Sequence, residues 1–299
     1  MPISVYQFII TVARLKTESK IMKKTSYFHF FTFLIGMFLL PALMGQDSQE
    51  IKAPSKVKEK EDFHIYLLIG GSNMLGKATF PKPDKGVDSE VFILTSKNEW
   101  TSVEEIQKFP GRNPEAENVG PGIPFGKAMM KVARGHVIIG IVNCASEDSS
   151  ISSWAKGQEL YDKAVQKAKA AQKAGVLKGI LWNQGEPDAL KKDLKDYADS
   201  VSKIIEDLRK DLAPELKIHP LPFVGSKLVS FPFPSDKDKD QFKEFNETLE
   251  KVFLEVQRRG LVETKGLKTK GESVIYDNDS LIELGRRYAG AMSYLNGKE

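Results

Sequence analysis

The sequence predicts an α/β fold, a three-layer α/β/α sandwich on a mostly parallel central sheet. Two observations carry that prediction. Short apolar runs of strand length alternate along the chain with longer segments of helical periodicity. The most apolar run, Ile65-Tyr66-Leu67-Leu68-Ile69, has no polar side and stops at Gly70-Gly71 before Ser72-Asn73, as a strand covered on both faces would before a tight turn. Paired glycines allow backbone conformations closed to other residues, so Ser72 is placed either as an exposed hydroxyl at the strand's end or as the cap of a following helix.

The remaining elements follow in order. Val91-Phe92-Ile93-Leu94 reads as a second strand, followed by a long loop to about Pro121 and a helix from Ile123 to Arg134. Val137 to Val142 reads as a strand, Asn143 to Ser153 as a polar loop, and Gln158 to Ala174 as an alanine-rich helix. Leu177 to Trp182 is another buried strand, opening into Asn183-Gln184-Gly185-Glu186-Pro187-Asp188. Leu190, Leu194, Tyr197, Val201, Ile204, Ile205 and Leu208 share one face of the next helix. Leu216 to Val224 reads as a strand, Phe242 to Val256 as an amphipathic helix and Leu281 to Leu295 as the closing helix. With no internal repeat and no internal boundary, residues 63–297 are expected to form one domain. Ligands of open α/β sheets bind beyond the carboxyl ends of the strands. The Gly70-Gly71-Ser72 turn, the 143–153 loop and the 183–188 turn all follow strands and should meet in one crevice.

Residues 1–45 differ in kind. From Met22, Lys23-Lys24 precede an apolar run from Phe30 to Leu40 and then Pro41-Ala42-Leu43-Met44-Gly45, the layout of a cleavable export signal. The expected protein is therefore exported, periplasmic or secreted, with no stable membrane span once the signal is cut near Gly45; an uncleaved anchor from Phe28 to Met44 is the alternative. Residues 46–62 are polar and lysine-rich and are expected to be a linker. The chain carries a net charge of +4. The first 45 residues hold a surplus of four positive charges, so the rest is near neutral, which argues against nucleic acid as a partner. A single cysteine, Cys144, excludes an internal disulfide, and four histidines outside any site motif give no metal site and no cofactor signature.

Acyl transfer needs a nucleophile, donors for a developing oxyanion, and a base held by a third group. The three loops offer Ser72 as nucleophile, Asn73 and Gln184 as donors, and Glu147, Asp148, Glu186 and Asp188 as carboxylates. Five ordered blocks, Ile69-Gly70-Gly71-Ser72-Asn73-Met74-Leu75-Gly76, Val119-Gly120-Pro121-Gly122 with Phe125, Cys144-Ala145 and Ser149-Ser150-Ile151 with Trp154, Gly179 to Glu186, and Leu284-Gly285-Arg286-Arg287-Tyr288-Ala289, resemble the SGNH-type carbohydrate esterases of the sialate O-acetylesterase and acetyl-xylan esterase group. The resemblance spans about residues 63 to 295. It implies an SGNH-hydrolase-like fold, an acetylated oligo- or polysaccharide as partner, Ser72 and Glu186 as catalytic residues, and Asn73, Gln184, Asp148, Ser149 and Asn183 at the oxyanion and substrate.

Six positions depart from the family pattern. Gly71 stands for its glutamine, Glu147-Asp148 for the Gly-Gly of the oxyanion loop, and Asn183 for histidine. In the family's D-x-x-H-F segment Glu272 takes the aspartate's place and Ile275 the histidine's. A carboxylate beside an oxyanion site repels the charge that must develop there, and loss of the base costs a triad enzyme about 10⁴-fold or more. His64, His136 and His219 are expected at the far end of the sheet, and His29 leaves with the signal. Two functions follow: an exported serine acetylesterase acting on glycans, with Glu186 or Asp148 as substitute base, or a catalytically degraded relative that binds glycan or is structural. Glycoside hydrolysis by the pair Asp148 and Glu186 is a third.

Overall fold

The computed structural model describes residues 51–76, 82–84, 86–109, 120–133, 136–147, 149–189, 194–216, 218–229, 235–271 and 273–297. The expected export signal, residues 46–50 of the linker, Asp148 and Glu272 lie outside them. Among the described residues the strands are β1 (Phe63–Gly70), β2 (Val91–Leu94), β3 (Trp100–Ser102), β4 (Ile138–Asn143), β5 (Val176–Asn183), β6 (Phe223–Ser226) and β7 (Arg259–Val262). The helices are α1 (Ser72–Leu75), α2 (Val103–Lys108), α3 (Gly122–Val132), α4 (Glu159–Ala171), α5 (Glu186–Ala189), α6 (Lys195–Leu212), α7 (Asp236–Glu255) and α8 (Asn278–Asn296).

The strands form one sheet in the order β3-β2-β4-β1-β5-β6-β7. Every neighbouring pair is parallel except β2 with β3, which closes one edge antiparallel. β1 lies at the middle because its side chains are apolar towards both faces. Ile65, Leu67 and Ile69 enter the core shared with Trp154, Trp182, Tyr197, Phe223 and Phe245. Tyr66 and Leu68 enter the opposite core with Phe125, Leu284, Tyr288 and Met292. The two-residue alternation of a strand thus separates one apolar run into the two helix-covered layers of the sandwich. α6 buries Tyr197, Val201, Ile204, Ile205, Leu208 and Leu212 at helical spacing. α7 and α8 start at side-chain caps, Ser235 accepting from the Asp238 amide and Asp277 from the Ser280 amide.

Three departures from the sequence expectation have local causes. β3 and α2 occupy part of the stretch read as loop, because a three-residue edge strand leaves little periodic signal. The strand expected over 216–224 is confined to Phe223–Ser226, since Pro220 and Pro222 lack the donors that a ladder needs. β7 escaped notice because Arg259 and Gly260 interrupt its apolar character. The expected linker is also partly fold: Ile51 is buried in the first core, and Lys56 pairs with Glu90 at 2.8 Å.

Gly70 is where the fold tolerates no side chain. Its φ of +136° lies in the region that favours glycine, and a Cβ there would stand 1.9 Å from the carbonyl oxygen of Asn183. Gly70→Ala is expected to destabilise the fold by about 3 kcal/mol or more. Thermal melting would register this as a fall of roughly 6 °C or more, or as loss of soluble protein; an unchanged melting temperature would contradict the close approach.

Candidate active site

β4, β1 and β5 stand side by side, so the loops that follow them emerge together at the carboxyl end of the sheet. Backbone bonds join them. The Gly71 amide donates to the Asn183 carbonyl at 2.7 Å, and the Ser146 amide donates to the Gly70 carbonyl at 3.0 Å. At the end of β5, Gly185 takes φ +143°, and a Cβ on it would meet the Phe245 ring at 2.1 Å. The convergence expected from the sequence is therefore present.

Ser72 is half-buried and is the first helical residue of α1; the cap position belongs to Gly71. The cap reading of Ser72 is thus replaced by one in which its side chain opens the helix at the crevice. Its neighbour Asn73 is almost wholly buried and has all three of its strong hydrogen-bonding positions engaged. Nδ2 donates to Glu186 Oε1 at 2.8 Å and to the Val274 carbonyl at 2.9 Å. Oδ1 accepts from the Tyr276 amide at 3.0 Å. Asn73 is therefore a clamp on Glu186 and on the 274–276 segment, and its amide hydrogens face those partners instead of a substrate.

The same correction applies to three other residues expected to touch substrate. Gln184 is fully buried and donates to the Ser149 carbonyl at 2.9 Å and to Asp188, while its backbone carbonyl accepts from the Tyr197 hydroxyl. The Ser149 hydroxyl lies 3.3 Å from the Gly70 carbonyl and 3.2 Å from that of Ser146, and accepts from Trp154 Nε1 at 3.1 Å. Asn183 donates to Ser226 Oγ at 2.6 Å, and the Tyr288 hydroxyl donates to the Trp182 carbonyl at 2.8 Å and also lies 2.9 Å from Ser226 Oγ. These groups form the polar floor of the crevice and their donors bond to one another, while among the described residues Asn183 Oδ1, Gln184 Oε1 and the Tyr276 hydroxyl are buried without a partner. Ser226, Tyr288, Tyr197 and Tyr276 escaped the sequence reading as site residues. Tyr288 had a signal, since it falls in the last of the five blocks, but its reach to the sheet end is visible only in three dimensions.

Ile275 is half-buried and stands between the two residues that Asn73 grips. The segment whose pattern calls for histidine is thus held against the residue next to Ser72, and it presents a branched aliphatic side chain. The three histidines among the described residues stand at the opposite end of the sheet. His64 is the second residue of β1, about 20 Å of extended chain from Gly70, and His136 and His219 precede β4 and β6. At Gly71 a Cβ would lie in ordinary contact, 3.7 Å from Glu186 Oε2, so this carboxylate oxygen stands beside the glycine. Glu147 in the oxyanion loop is exposed.

Burial pushes the Glu186 carboxyl above its ordinary value of 4.5, opposed by the Asn73 bond and its own backbone amide and reinforced by the charge of Asp188. Burial also pushes the Cys144 thiol up to about 11, against the pull of Lys167 and Lys163, so the lone cysteine is no nucleophile. Among the described residues the crevice holds a hydroxyl, a carboxyl whose burial favours its neutral form, and no imidazole.

Residues 62–294 match the family described as carbohydrate esterase, sialic acid-specific acetylesterase. A probable carbohydrate esterase of Arabidopsis thaliana is 26% identical over 264 residues, covering 83% of this chain and 95% of the relative. The crystal structure of an Arabidopsis thaliana protein superposes with a TM-score of 0.62 at 24% identity, covering 78% of this chain and 98% of the other. A carbohydrate acetylesterase of Xanthomonas citri gives a TM-score of 0.57 at 18% identity, over 79% of this chain and 57% of its own. These two likenesses establish a shared fold.

Two outcomes test the site's electrostatics and its clamp. A carboxyl whose folded pKa is raised contributes stability that is fully present below its unfolded value and lost as pH rises through the folded one. Glu186→Gln, neutral throughout, is expected to gain melting temperature relative to the parent as pH goes from about 4 to 7; a pH-independent difference would contradict burial of the charge. Asn73→Ala removes three bonds and is expected to cost about 2–4 kcal/mol in denaturant unfolding, whereas a cost under about 0.5 kcal/mol would show that the clamp is not formed.

Proposed function

The chain belongs to the sialic acid-specific acetylesterase family of carbohydrate esterases, and from that membership we propose that its crevice receives an acetylated oligo- or polysaccharide and retains it without turnover by a serine–histidine mechanism. The observation that carries this is Ile275, gripped through Val274 and Tyr276 by the residue next to Ser72. An aliphatic side chain cannot take the serine proton, and the described histidines are a sheet's length away. The hydroxyl at Ser72 remains a contact for the acetyl ester; the means to activate it by imidazole is absent from the described residues. The exposed Glu147 in the oxyanion loop adds a charge of the wrong sign for a developing oxyanion.

One observation favours slow hydrolysis as a second reading. Glu186 sets an oxygen beside Gly71, one residue from Ser72, and burial raises its pKa above that of an ordinary carboxyl, which makes its carboxylate the stronger base. The layout of residues 22–45, cationic then apolar then small, supports export as the route to an extracellular glycan. Among the described residues no helix is long and apolar enough to cross a membrane.

Purified protein and Ser72→Ala are to be compared on acetylated xylan and on a chromogenic acetate. The expected result is equal, background-level release of acetate by both, with tighter binding of acetylated than of deacetylated oligosaccharide. Turnover that disappears in Ser72→Ala would overturn the binding reading, and its further loss in Glu186→Gln would assign the base. Ile275→His is expected to raise Ser72-dependent turnover, by up to about 10⁴-fold if the base is the main loss.

A further inference from the structure

Beside the Ser72 helix lies a cavity of about 230 Å³, with Leu75, Ile123 and Ile141 on its apolar side and Ser96, Asn143 and Lys167 on its polar side. It is smaller than a complete small-molecule site of roughly 300 Å³ or more, and suits one subsite of a longer ligand. Leu75 is three residues beyond Ser72 in the same helix. Asn143 bonds to the Met74 carbonyl at 3.5 Å. The cavity and the crevice therefore share a wall.

Lys167 is the one charged residue among the described residues that line this cavity. Other helical lysines are paired one turn along: Lys108 with Glu104, Lys203 with Asp207 and Lys210 with Glu206. Lys167 has instead Lys163 one turn before it on α4, a like-charge spacing that disfavours a helix. Among the described residues neither makes an ion pair. Asn143, the last residue of β4, lines the cavity with Lys167, which places that lysine at the carboxyl end of the strand.

We propose that Lys167, assisted by Lys163, binds an anionic substituent of the carbohydrate, a carboxylate or a sulfate ester, in this cavity while a neighbouring sugar lies at Ser72. The proposal rests on the carbohydrate reading of the crevice. The ammonium supplies the charge, Asn143 and Ser96 supply neutral hydrogen-bonding groups, and the apolar side accepts a ring face. An uncompensated pair of cations on one helix face is then a binding feature kept at a small cost in helix stability.

Calorimetric titration of the full chain with three unacetylated xylo-oligosaccharides of equal length tests this: one neutral, one bearing glucuronate and one bearing a sulfate ester. The parent protein is expected to bind at least one anionic form about 5-fold or more tightly than the neutral form, a preference that shrinks as salt is raised. Lys167→Gln is expected to abolish the preference, leave the neutral affinity unchanged and hold or slightly raise the melting temperature. Which anionic probe binds more tightly assigns the substituent, and either assignment supports the proposal. No preference in the parent, or a preference undiminished in Lys167→Gln and in the Lys163→Gln/Lys167→Gln double variant, overturns it. Because no probe is acetylated, failure of acetyl recognition shows separately, as equal binding of acetylated and deacetylated glycan.

Discussion

Gly70 ends the central strand against the carbonyl of Asn183, at a distance no other residue could accept. From that contact the geometry of the crevice follows. Gly71 can donate its amide to the same carbonyl, Ser146 can close on the Gly70 carbonyl, and Ser149 can reach it from the other side. The loops after β4, β1 and β5 are in effect laced through one residue without a side chain. Ser72 owes its place at the start of α1 to this lacing, since the chain must turn at once after Gly71. The close approach is an energetic constraint as well as a geometric one, because a misplaced Asn183 carbonyl would leave buried amides without acceptors.

Beneath the crevice the polar side chains serve each other. Asn73, Gln184, Asp188, Ser149, Asn183, Ser226 and Tyr288 lie where a parallel sheet runs out of ladder, and each bonds to a partner from another loop or strand. Such a network favours one arrangement over near alternatives because each displaced member strands a buried group. The floor of the site is built in this way although Ile275 stands where the family resemblance calls for histidine.

Much of this could be read from the chain. β1, β4 and β5 are apolar on both faces, so their number, order and polar endings were visible, and convergence of the three loops followed from the placement rule for parallel sheets. Ser72 and Ile275 were legible as a pair for another reason: ordered blocks preserve spacing, and spacing alone brought the 272–276 segment to the site. What stayed hidden was direction. A sequence shows that Asn73, Gln184, Ser149 and Asn183 are polar and near a turn, but whether an amide points into a crevice or into a neighbouring strand depends on packing over the whole sheet. Edge strands β3 and β7 were hidden because a few half-exposed residues carry no periodic signal, and Ile51 because one apolar residue in a lysine-rich stretch has no pattern at all.

The grip of Asn73 on Val274 and Tyr276 joins residues 201 and 203 positions apart. Closing a loop of that length is entropically unfavourable and is possible only when the chain up to Tyr276 exists. During synthesis, then, β1, β4 and β5 and the lacing at Gly70 are available long before the last wall of the crevice. Until the 274–276 segment arrives, Asn73 has only its bond to Glu186 and lacks the two that fix it from the C-terminal side. This wall of the crevice is therefore finished late, and its completion reports that synthesis has passed Tyr276.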